Sequence, residues 1–350
     1  MLHVSSLHVA LLLYALGLRN SLGKDQDWPN AGGDKGCSRY STLSQISRRN
    51  VKALQVAWTY HTGDAGKDTT IECTPIVIGG VMFLTTPTCR VAALDADTGR
   101  ERWKYDPYAA VKISQPRASG GVNRGVAYWT DGRQARILLG APDGRLISLD
   151  AKTGRPDLAF GKAGIVDLRE GMDMDLNGVN YGPTSAPAVY RDIVILGFSC
   201  PEGGRPAPGD PRAFDVRTGK ELWRFHTIPR PGEFGHETWE GDSWKRAGAA
   251  NNWGGTSVDE KRGLVFLGTG SASPDFYGGD PKAITSLRIV RCAWRHSPAS
   301  GFGISRRSGT ISGTMICRSV RTWLLSRTTV ASETPPHRSL RPGSCSSSTV

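Results

Sequence analysis

Short apolar runs, separated by glycine, proline, asparagine and aspartate, make up the chain from about residue 27 to residue 280. Such runs between turn-forming residues are typical of β-strands, and helical periodicity is scarce. We therefore predict an all-β structure. Strands or strand pairs are expected in five stretches: Val51–Tyr60, Pro75–Thr85, Ala135–Leu149, Ala188–Gly197 and Gly263–Gly268.

One short phrase occurs three times, at Leu94–Arg100, Leu149–Arg155 and Phe214–Lys220. Each copy has an apolar strand, a turn built from Asp, Thr and Gly, and a second strand. A tryptophan follows at the same offset in two copies, as Trp103 and Trp223. A strand unit that recurs every 55 to 65 residues is typical of a β-propeller blade. Three unrelated hairpins are the alternative, because such turns are common.

The composition divides the chain into three parts. Residues 1–24 are expected to be a signal peptide or a disordered N-terminus, and residues 25–280 a partial propeller. Its longer Gly- and Pro-rich connections, at 106–123, 200–212 and 227–256, have the length of functional loops. In residues 281–350, Asp disappears and Ser and Arg dominate, which predicts a basic, disordered tail. The tail either binds a partner or was never selected to fold, and we favour the second interpretation.

The chain of 350 residues carries 44 Lys and Arg against 32 Asp and Glu, a net charge of +12. This excess is concentrated in the tail, where residues 281–350 hold 11 basic residues and one acid, Glu333. The body is nearly neutral, with 33 basic and 31 acidic residues. It contains no phosphate loop, basic helix or zinc spacing, so we predict no nucleic-acid partner.

The seven cysteines form no Cys-x-x-Cys pair, so neither a zinc ribbon nor a covalently attached c-type haem is indicated. The first four (Cys37, Cys73, Cys89 and Cys200) could include a disulfide or be inert buried thiols. Near the N-terminus, the apolar run Val9–Leu18 is shorter than the roughly 20 residues that span a bilayer. We expect a secretory signal, no transmembrane helix and a periplasmic location.

The body resembles the pyrroloquinoline-quinone (PQQ)-dependent dehydrogenases that oxidise alcohols and sugars. The resemblance covers about residues 25–280 and rests on many short matches in the same order. They include Trp28, Gly32-Gly33-Asp34, Arg39-Tyr40-Ser41, Ala57-Trp58-Thr59-Tyr60, Glu72-Cys73-Thr74-Pro75, Asn123-Arg124-Gly125, Thr184-Ser185-Ala186-Pro187, Thr238-Trp239-Glu240-Gly241-Asp242-Ser243-Trp244 and Asn251-Asn252-Trp253-Gly254. The resemblance implies an eight-bladed quinoprotein propeller, of which about four blades are present, with PQQ and Ca²⁺ near its axis.

The resemblance also implies a cofactor site. A flat, anionic orthoquinone needs an aromatic floor, and cationic and hydroxyl donors around its carboxylates. Trp239 matches the floor tryptophan and Arg124 the arginine beside the quinone oxygens. Glu72, Thr184 and Ser199 match positions that hydrogen-bond the cofactor. The alternatives are an interblade packing role for Trp239, a surface ion pair for Arg124, and backbone capping for the hydroxyl residues.

Glu202 and Asn252 match the Ca²⁺ ligands, an oxygen set suited to a hard cation, and Asn251 replaces Asn252 if the alignment slips by one residue. The alternative for Glu202 is a solvated loop acid. Ala118-Ser119 stand where some members place two adjacent cysteines over the quinone. The family's catalytic aspartate lies in the next blade, and this chain has no Asp beyond residue 280, so its catalytic base is unknown.

In a shifted reading frame, the tail can encode sequence that matches the next blade of the family. Codons that encode Gly309–Arg318, read from their third base, can spell His-Asp-Ile-Trp-Asp-Tyr-Asp-Leu-Pro, which matches the family at that place. The same shift applied to Ser297–Arg306 can spell Thr-Gly-Lys-Arg-Ile-Trp-His-Phe-Gln, a fourth copy of the repeated turn. The sequence therefore predicts a one-base frameshift close to codon 280.

Three functions follow as hypotheses. The first is a PQQ- and Ca²⁺-dependent oxidoreductase that passes hydride from an alcohol or sugar to the quinone and electrons to a cytochrome or ubiquinone, inactive as printed because the base is missing. The second is a cofactor-free propeller that serves as a binding scaffold. The third is an incomplete propeller of low solubility and no activity, because half a ring leaves sheet edges exposed.

Overall fold

The computed structural model describes residues 27–67, 69–109, 117–203, 207–233 and 235–274, and the backbone of 291–295. Four larger antiparallel sheets and one two-stranded ribbon form in these residues, and the strands of each larger sheet are hydrogen-bonded in chain order. The sheets are blade 1 (β1 Ile76–Ile78, β2 Val81–Thr85, β3 Val91–Asp95, β4 Glu101–Tyr105), blade 2 (β5 Ala127–Thr130, β6 Ala135–Ala141, β7 Arg145–Asp150, β8 Ile165–Asp167), blade 3 (β9 Ala188–Tyr190, β10 Ile193–Leu196, β11 Arg212–Asp215, β12 Glu221–Arg224) and blade 4 (β14 Thr256–Asp259, β15 Leu264–Gly268, β17 Arg291–Arg295).

Helical structure is confined to single turns. They are the 3₁₀ segments Val51–Ala53, Ala118–Gly121 and His236–Thr238 and the helix α1, Ser243–Arg246. A two-stranded ribbon of β13 (Gly248–Ala249) and β16 (Ala272–Ser273) lies beside blade 4 in the chain. The predicted all-β class and the predicted blade arrangement are both confirmed.

The repeated phrase folds into the same turn in all three copies. The N–H of Gly99 donates to the carbonyl of Asp95 at 2.8 Å, and the Thr98 N–H and hydroxyl donate to its carboxylate at 3.1 and 2.9 Å. The corresponding bonds recur around Asp150 and Asp215. Since each carboxylate accepts at least two hydrogen bonds from its own turn, this structure is local and follows from the phrase alone.

The turn of blade 2 is also a docking point for the preceding blade. Trp103, on the outer strand β4 of blade 1, donates its Nε1–H to the carbonyl of Ala151 in the turn of blade 2 at 3.1 Å. Gly154 closes that turn with φ +71°, and a Cβ there would clash with the Trp103 ring. Glycine is therefore required for two reasons: it permits the left-handed backbone, and it leaves room for the indole.

The core lies in layers between successive blades. One cluster joins blades 1 and 2 and contains Phe83, Ile137 and Ile147, a second joins blades 2 and 3, and a third joins blades 3 and 4. The first strands β5, β9 and β14 contact their neighbours, so they line the axis of the propeller. Positions at the start of successive first strands are thereby brought together.

Residues 28–37 form a strap across the inner side of the blades. Trp28 pairs with Val77 of β1 through two backbone hydrogen bonds of 2.8 and 2.9 Å. At the other end, Val258 of β14 donates its N–H to the Lys35 carbonyl at 2.7 Å, and the Lys35 ammonium lies 2.5 Å from the Glu260 carboxylate. The strap therefore connects the inner edges of blades 1 and 4.

Predicted and observed strands differ at one stretch. Val51–Tyr60 was expected to form a strand, but the structure gives a 3₁₀ turn at Val51–Ala53 followed by extended chain without assigned ladder pairing. The physical reason is that a strand is defined by its neighbour, and the described chain places none beside residues 54–60. The predicted signal segment lies outside the described residues, as does most of the predicted tail, where only Arg291–Arg295 pairs with β15.

The cysteines of the described ranges, Cys37, Cys73, Cys89 and Cys200, are all free thiols, so the disulfide alternative is not what this fold uses. Burial raises the pKa of Cys89 and of Cys200 far above the usual range of a thiol. Both are therefore inert packing residues at neutral pH. Across the described ranges, every helix is too short to cross a bilayer.

Candidate functional site

Four of the residues predicted from the sequence stand three or four residues before the first strand of a blade. Glu72 precedes β1, Arg124 precedes β5, Thr184 precedes β9 and Asn252 precedes β14. Because the first strands line the axis, their leading residues converge on it. A cavity of about 600 Å³ lies there, lined by Glu72, Arg124, Ser185, residues 254–258 and the strap.

Arg124 is the centre of this cluster. Its Nη2 lies 2.7 Å from the Glu72 carboxylate, and its Nη1 donates to the Thr184 hydroxyl at 3.1 Å. Its backbone is fixed on both sides, because its carbonyl accepts from the Thr74 N–H at 3.2 Å and its N–H donates to the Thr184 carbonyl at 2.9 Å. One residue of blade 2 thus joins blades 1 and 3. The side chain remains 30% exposed, so its guanidinium is available to a guest.

Trp253 supplies an aromatic face beside this cation, a role that the sequence analysis gave to Trp239. The Arg124 guanidinium carbon lies 5.3 Å from the centre of the Trp253 ring, within range of a cation–π contact. Trp253 is 51% exposed, and its carbonyl accepts a hydrogen bond from the Ser185 hydroxyl. An exposed indole over a guanidinium is a surface on which a flat anion can stack.

A signal for Trp253 was present in the sequence. It stands three residues before β14, as Arg124 stands three before β5, so the blade repeat places the two at equivalent positions. Trp239 follows the 3₁₀ turn His236–Thr238 in the long connection before blade 4 and is half-buried. The cavity lining contains neither tryptophan, but only Trp253 contacts Arg124 among the described aromatic contacts.

Ser199 lies in the loop after β10, one blade away from Ser119. The two hydroxyl oxygens are 2.8 Å apart, so one hydroxyl donates to the other. Ser119 adopts φ +45°, a left-handed conformation that is uncommon outside glycine. The place where some relatives of the family carry a cysteine pair is therefore occupied here by a serine that touches a predicted cofactor residue.

The predicted calcium ligands are arranged less favourably. The Asn252 amide donates to the carbonyls of Gly255 and Gly268 at 2.9 and 2.8 Å, and its Oδ1 accepts from the Thr256 hydroxyl at 3.1 Å. The side chain is 1% exposed and acts as a bracket that holds the start of blade 4. Glu202 is exposed on the loop that follows Ser199. No contact between the two is found in the described ranges, so their role in metal binding stays a prediction.

Asn251, the alternative to Asn252 as a calcium ligand, is also held by a hydrogen bond within the protein. Asn251 donates its side-chain N–H to the Phe198 carbonyl at 2.9 Å and is 8% exposed. Within the described residues, His, Cys, Asp and Glu side chains form no group of three or more that could hold a metal. The side chains that meet near the axis, Arg124, Thr184 and Trp253, suit a flat anionic guest.

Comparison with known proteins identifies the family of the chain. Residues 28–286 match the family profile described as PQQ, the β-propeller domain of glucose, ethanol and alcohol dehydrogenases. The chain is 33% identical over 296 residues to the quinohemoprotein alcohol dehydrogenase ADH IIB of Pseudomonas putida, covering 79% of this chain and 40% of that protein. It is 33% identical to quinoprotein glucose dehydrogenase A of Acinetobacter calcoaceticus, covering 73% and 34% respectively.

A solved structure gives the same answer for the fold. The crystal structure of quinohemoprotein alcohol dehydrogenase from Comamonas testosteroni superposes with a TM-score of 0.62 at 28% identity, covering 81% of this chain and 43% of that chain. The chain thus spans about 40% or less of the length of the curated relatives it matches. Four blades of an eight-bladed propeller account for that fraction, so the predicted partial propeller of the quinoprotein type is confirmed.

Proposed function

Because the chain belongs to the family of PQQ-dependent alcohol and glucose dehydrogenase β-propellers, we propose that it contributes one half of a PQQ site. The whole protein would be an oxidoreductase that acts on the hydroxyl of an alcohol or a sugar. The observation that carries this proposal is the Arg124 cluster, where a cation, a buried hydroxyl and an exposed indole meet beside the axial cavity.

The side chains of the cluster have separate tasks. Arg124 provides a charge-assisted donor for a carboxylate or quinone oxygen, and its contact with Glu72 and Thr184 fixes its direction before binding. Trp253 provides the stacking face and excludes water from one side of the guest. Bound PQQ would supply the hydride acceptor, which no amino-acid side chain offers.

Removal of the substrate's hydroxyl proton needs a base that this chain does not supply by resemblance. The aspartate expected for that task belongs to the blade after residue 280, where the frame shift is predicted. We therefore propose a chain that binds the quinone and turns over little or no substrate. Sequencing the gene tests the frame shift. Codons for Gly309–Arg318 that cannot encode His-Asp-Ile-Trp-Asp-Tyr-Asp-Leu-Pro in the shifted frame would refute it.

Quinone binding can be measured on the purified full-length chain. Titration with PQQ should quench tryptophan fluorescence and shift quinone absorbance in a saturable way. Arg124→Gln should weaken binding by about tenfold or more, since a hydrogen bond to a charged group contributes roughly 1.5–3 kcal/mol. Arg133→Gln, on the exposed turn at the opposite end of blade 2, is the matched control. Absence of saturable binding by the folded wild-type chain would favour the cofactor-free scaffold.

Two single variants, one at each tryptophan, test which indole faces the quinone. Trp253→Phe should remove most of the PQQ-dependent quenching, because its ring lies against Arg124. Trp239→Phe should leave the quenching largely intact. The reverse result would restore Trp239 as the floor residue.

Calcium is proposed as a second component, with Glu202 as its main ligand. A carboxylate suits this hard cation, whereas Asn252 is already committed to three hydrogen bonds. We expect Ca²⁺ to tighten PQQ binding, and Glu202→Gln to reduce that effect. Glu170→Gln, an exposed acid paired with Lys162, is the control. An equal response to Ca²⁺ in both variants would exclude Glu202 as a ligand.

We also propose a cellular location and a redox partner for the whole protein. A periplasmic site is supported by the apolar run Val9–Leu18, and a cytochrome or ubiquinone would take the electrons. Fractionation of cells that express the protein tests the location. Reduction of a cytochrome or of ubiquinone by the in-frame gene product, with PQQ and substrate present, tests the acceptor.

A further inference from the structure

The strap of residues 28–37, together with the two residues after it, forms one wall of the axial cavity. The other walls come from the blades, which supply Glu72 and Arg124. The proposed PQQ half-site uses side chains of the blades, so the strap wall has no assigned role in it. The residues of this wall include Gly32, Asp34, Lys35, Cys37 and Arg39.

Arg39 is fixed in this wall by a closed loop. Its N–H donates to the Gly32 carbonyl at 2.8 Å, which joins the two ends of the loop. Inside the loop, the Asp34 carboxylate accepts from the Ser38 N–H at 3.0 Å. A Cβ on Gly32 would lie 2.3 Å from the Cys37 Cα, so the loop closes in this way only because residue 32 is glycine. The backbone that carries Arg39 is therefore set before any guest binds.

The backbone conformation at Arg39 does not by itself call for an arginine. Arg39 has φ +55° and Cys37 has φ +58°, both in the left-handed region that costs free energy for residues other than glycine. Glycine would adopt the same conformation without that cost. Strained residues of this kind cluster at functional sites, where the surrounding structure holds them in place. An arginine at this position therefore contributes through its side chain.

Arg39 carries the unpaired positive charge of the cavity wall. The charged side chains that line the cavity are three basic residues and two acids: Lys35, Arg39 and Arg124 against Asp34 and Glu72. The ammonium of Lys35 lies 2.5 Å from the Glu260 carboxylate, and Arg124 is paired with Glu72 at 2.7 Å. Within the part of the chain that the structure describes, the Arg39 guanidinium has no ion pair, and the residue is exposed. The cavity thus presents one free cation on a wall other than that of Arg124.

We propose that Arg39 is a second anchor for PQQ and binds one of its carboxylates. This inference rests on the proposed PQQ site. PQQ carries more than one carboxylate, and Arg124, held between Glu72 and Thr184, approaches the guest from the blades alone. The Arg39 guanidinium approaches from the strap, and its planar fork matches a carboxylate through two parallel hydrogen bonds. Arg39 then selects an anionic quinone over a neutral one of the same shape.

Titration of the purified full-length chain with PQQ, followed by tryptophan fluorescence, tests this role. Arg39→Gln should raise the Kd at least about fivefold, because a charge-assisted contact is lost. Arg39→Lys, which keeps the charge without the fork, should give an intermediate Kd. Arg48→Gln, at an exposed arginine outside the cavity lining, is the matched control and should bind PQQ as the wild type does.

Arg39→Gly separates a binding role from a structural one. Glycine suits the left-handed backbone, so this variant should unfold at the same temperature as the wild type or at a higher one. Its Kd for PQQ should nevertheless rise as in Arg39→Gln. The difference in Kd between the wild type and Arg39→Gln should also shrink between about 0.1 M and about 1 M salt, because the Debye length falls from about 10 Å to about 3 Å.

The outcomes distinguish this anchor from the proposed function. If Arg124→Gln weakens PQQ binding while the Arg39 variants bind as the wild type does, the second anchor is overturned and the proposed PQQ site stands. An Arg39→Gly variant that retains wild-type affinity, or an equal loss in Arg48→Gln, also overturns it. A folded wild-type chain without saturable PQQ binding refutes the proposed function itself, and the anchor with it.

Discussion

Two joints between neighbouring elements of this propeller use the same hydrogen bond, from a tryptophan Nε1–H to a turn carbonyl, but differ in how much surface is buried around it. At the joint of blades 1 and 2, Trp103 docks on the Asp150 turn with a four-stranded sheet on each side and a buried core between them. At the N-terminal joint, Trp58 docks on the Asp95 turn, but its segment is extended and largely exposed. The indole-to-turn contact is therefore formed locally, whereas burial depends on the completed blade.

The largest difference in stability between the two joints is expected when each indole is removed. Trp103→Ala should lower the free energy of unfolding by about 3 kcal/mol, because it opens the core between two blades and removes the packing on Phe83. Trp58→Ala should cost roughly 1 kcal/mol, since it frees a segment that covers little. Urea denaturation followed by circular dichroism measures both.

Trp103→Phe and Trp58→Phe serve as controls, because they keep an aromatic ring while they lose the N–H bond and part of the indole volume. Equal losses in the two alanine variants would mean that the N-terminal segment is as integral to the core as β4 is.

A smaller effect is expected from the glycines beneath the indoles. Gly154→Ala should destabilise by about 2 kcal/mol, since a Cβ strains the left-handed backbone and collides with a ring that its sheet holds in place. Gly99→Ala should cost about 1 kcal/mol, because the exposed segment 54–60, which carries Trp58, can move away. Gly132→Ala, at φ +86° with open space around it, measures the backbone strain alone. Thermal denaturation ranks the three, and a larger loss for Gly99→Ala would reverse our view of which joint is rigid.

The smallest effect concerns acid. The Arg102 guanidinium, which lies 2.8 Å from the Asp95 carboxylate, lowers the pKa of that group to about 2, with help from Thr98. A lowered pKa means that the stabilisation is fully present above the ordinary value of 3.8 and is lost as the pH falls toward about 2. Unfolding monitored between pH 5 and pH 2 (about the range of that titration) should show a shallower acid dependence in Asp95→Asn than in the wild type.

Sequence reasoning gave the site in part. Glu72, Arg124 and Thr184 were predicted and do meet, because each stands just before the first strand of a blade. Trp253 was missed although it lay within a quoted motif, since a motif does not tell which of two nearby tryptophans turns toward the axis. Asn252 was given a ligand's role from its type, but its amide bonds depend on where Gly255, Gly268 and Thr256 come in space.

The sequence by itself determined four of the five predicted strand stretches, the three Asp-x-x-Thr-Gly turns and the propeller class, because these follow from side chains and backbone groups within a few residues of one another. It also located the change at residue 280, through composition. The tertiary structure decided which residues share the axis, which indole lies over Arg124, and why 54–60 is extended without a sheet. Those outcomes depend on how successive blades pack, and a strand or an aromatic floor exists only in relation to a partner that is distant in the chain.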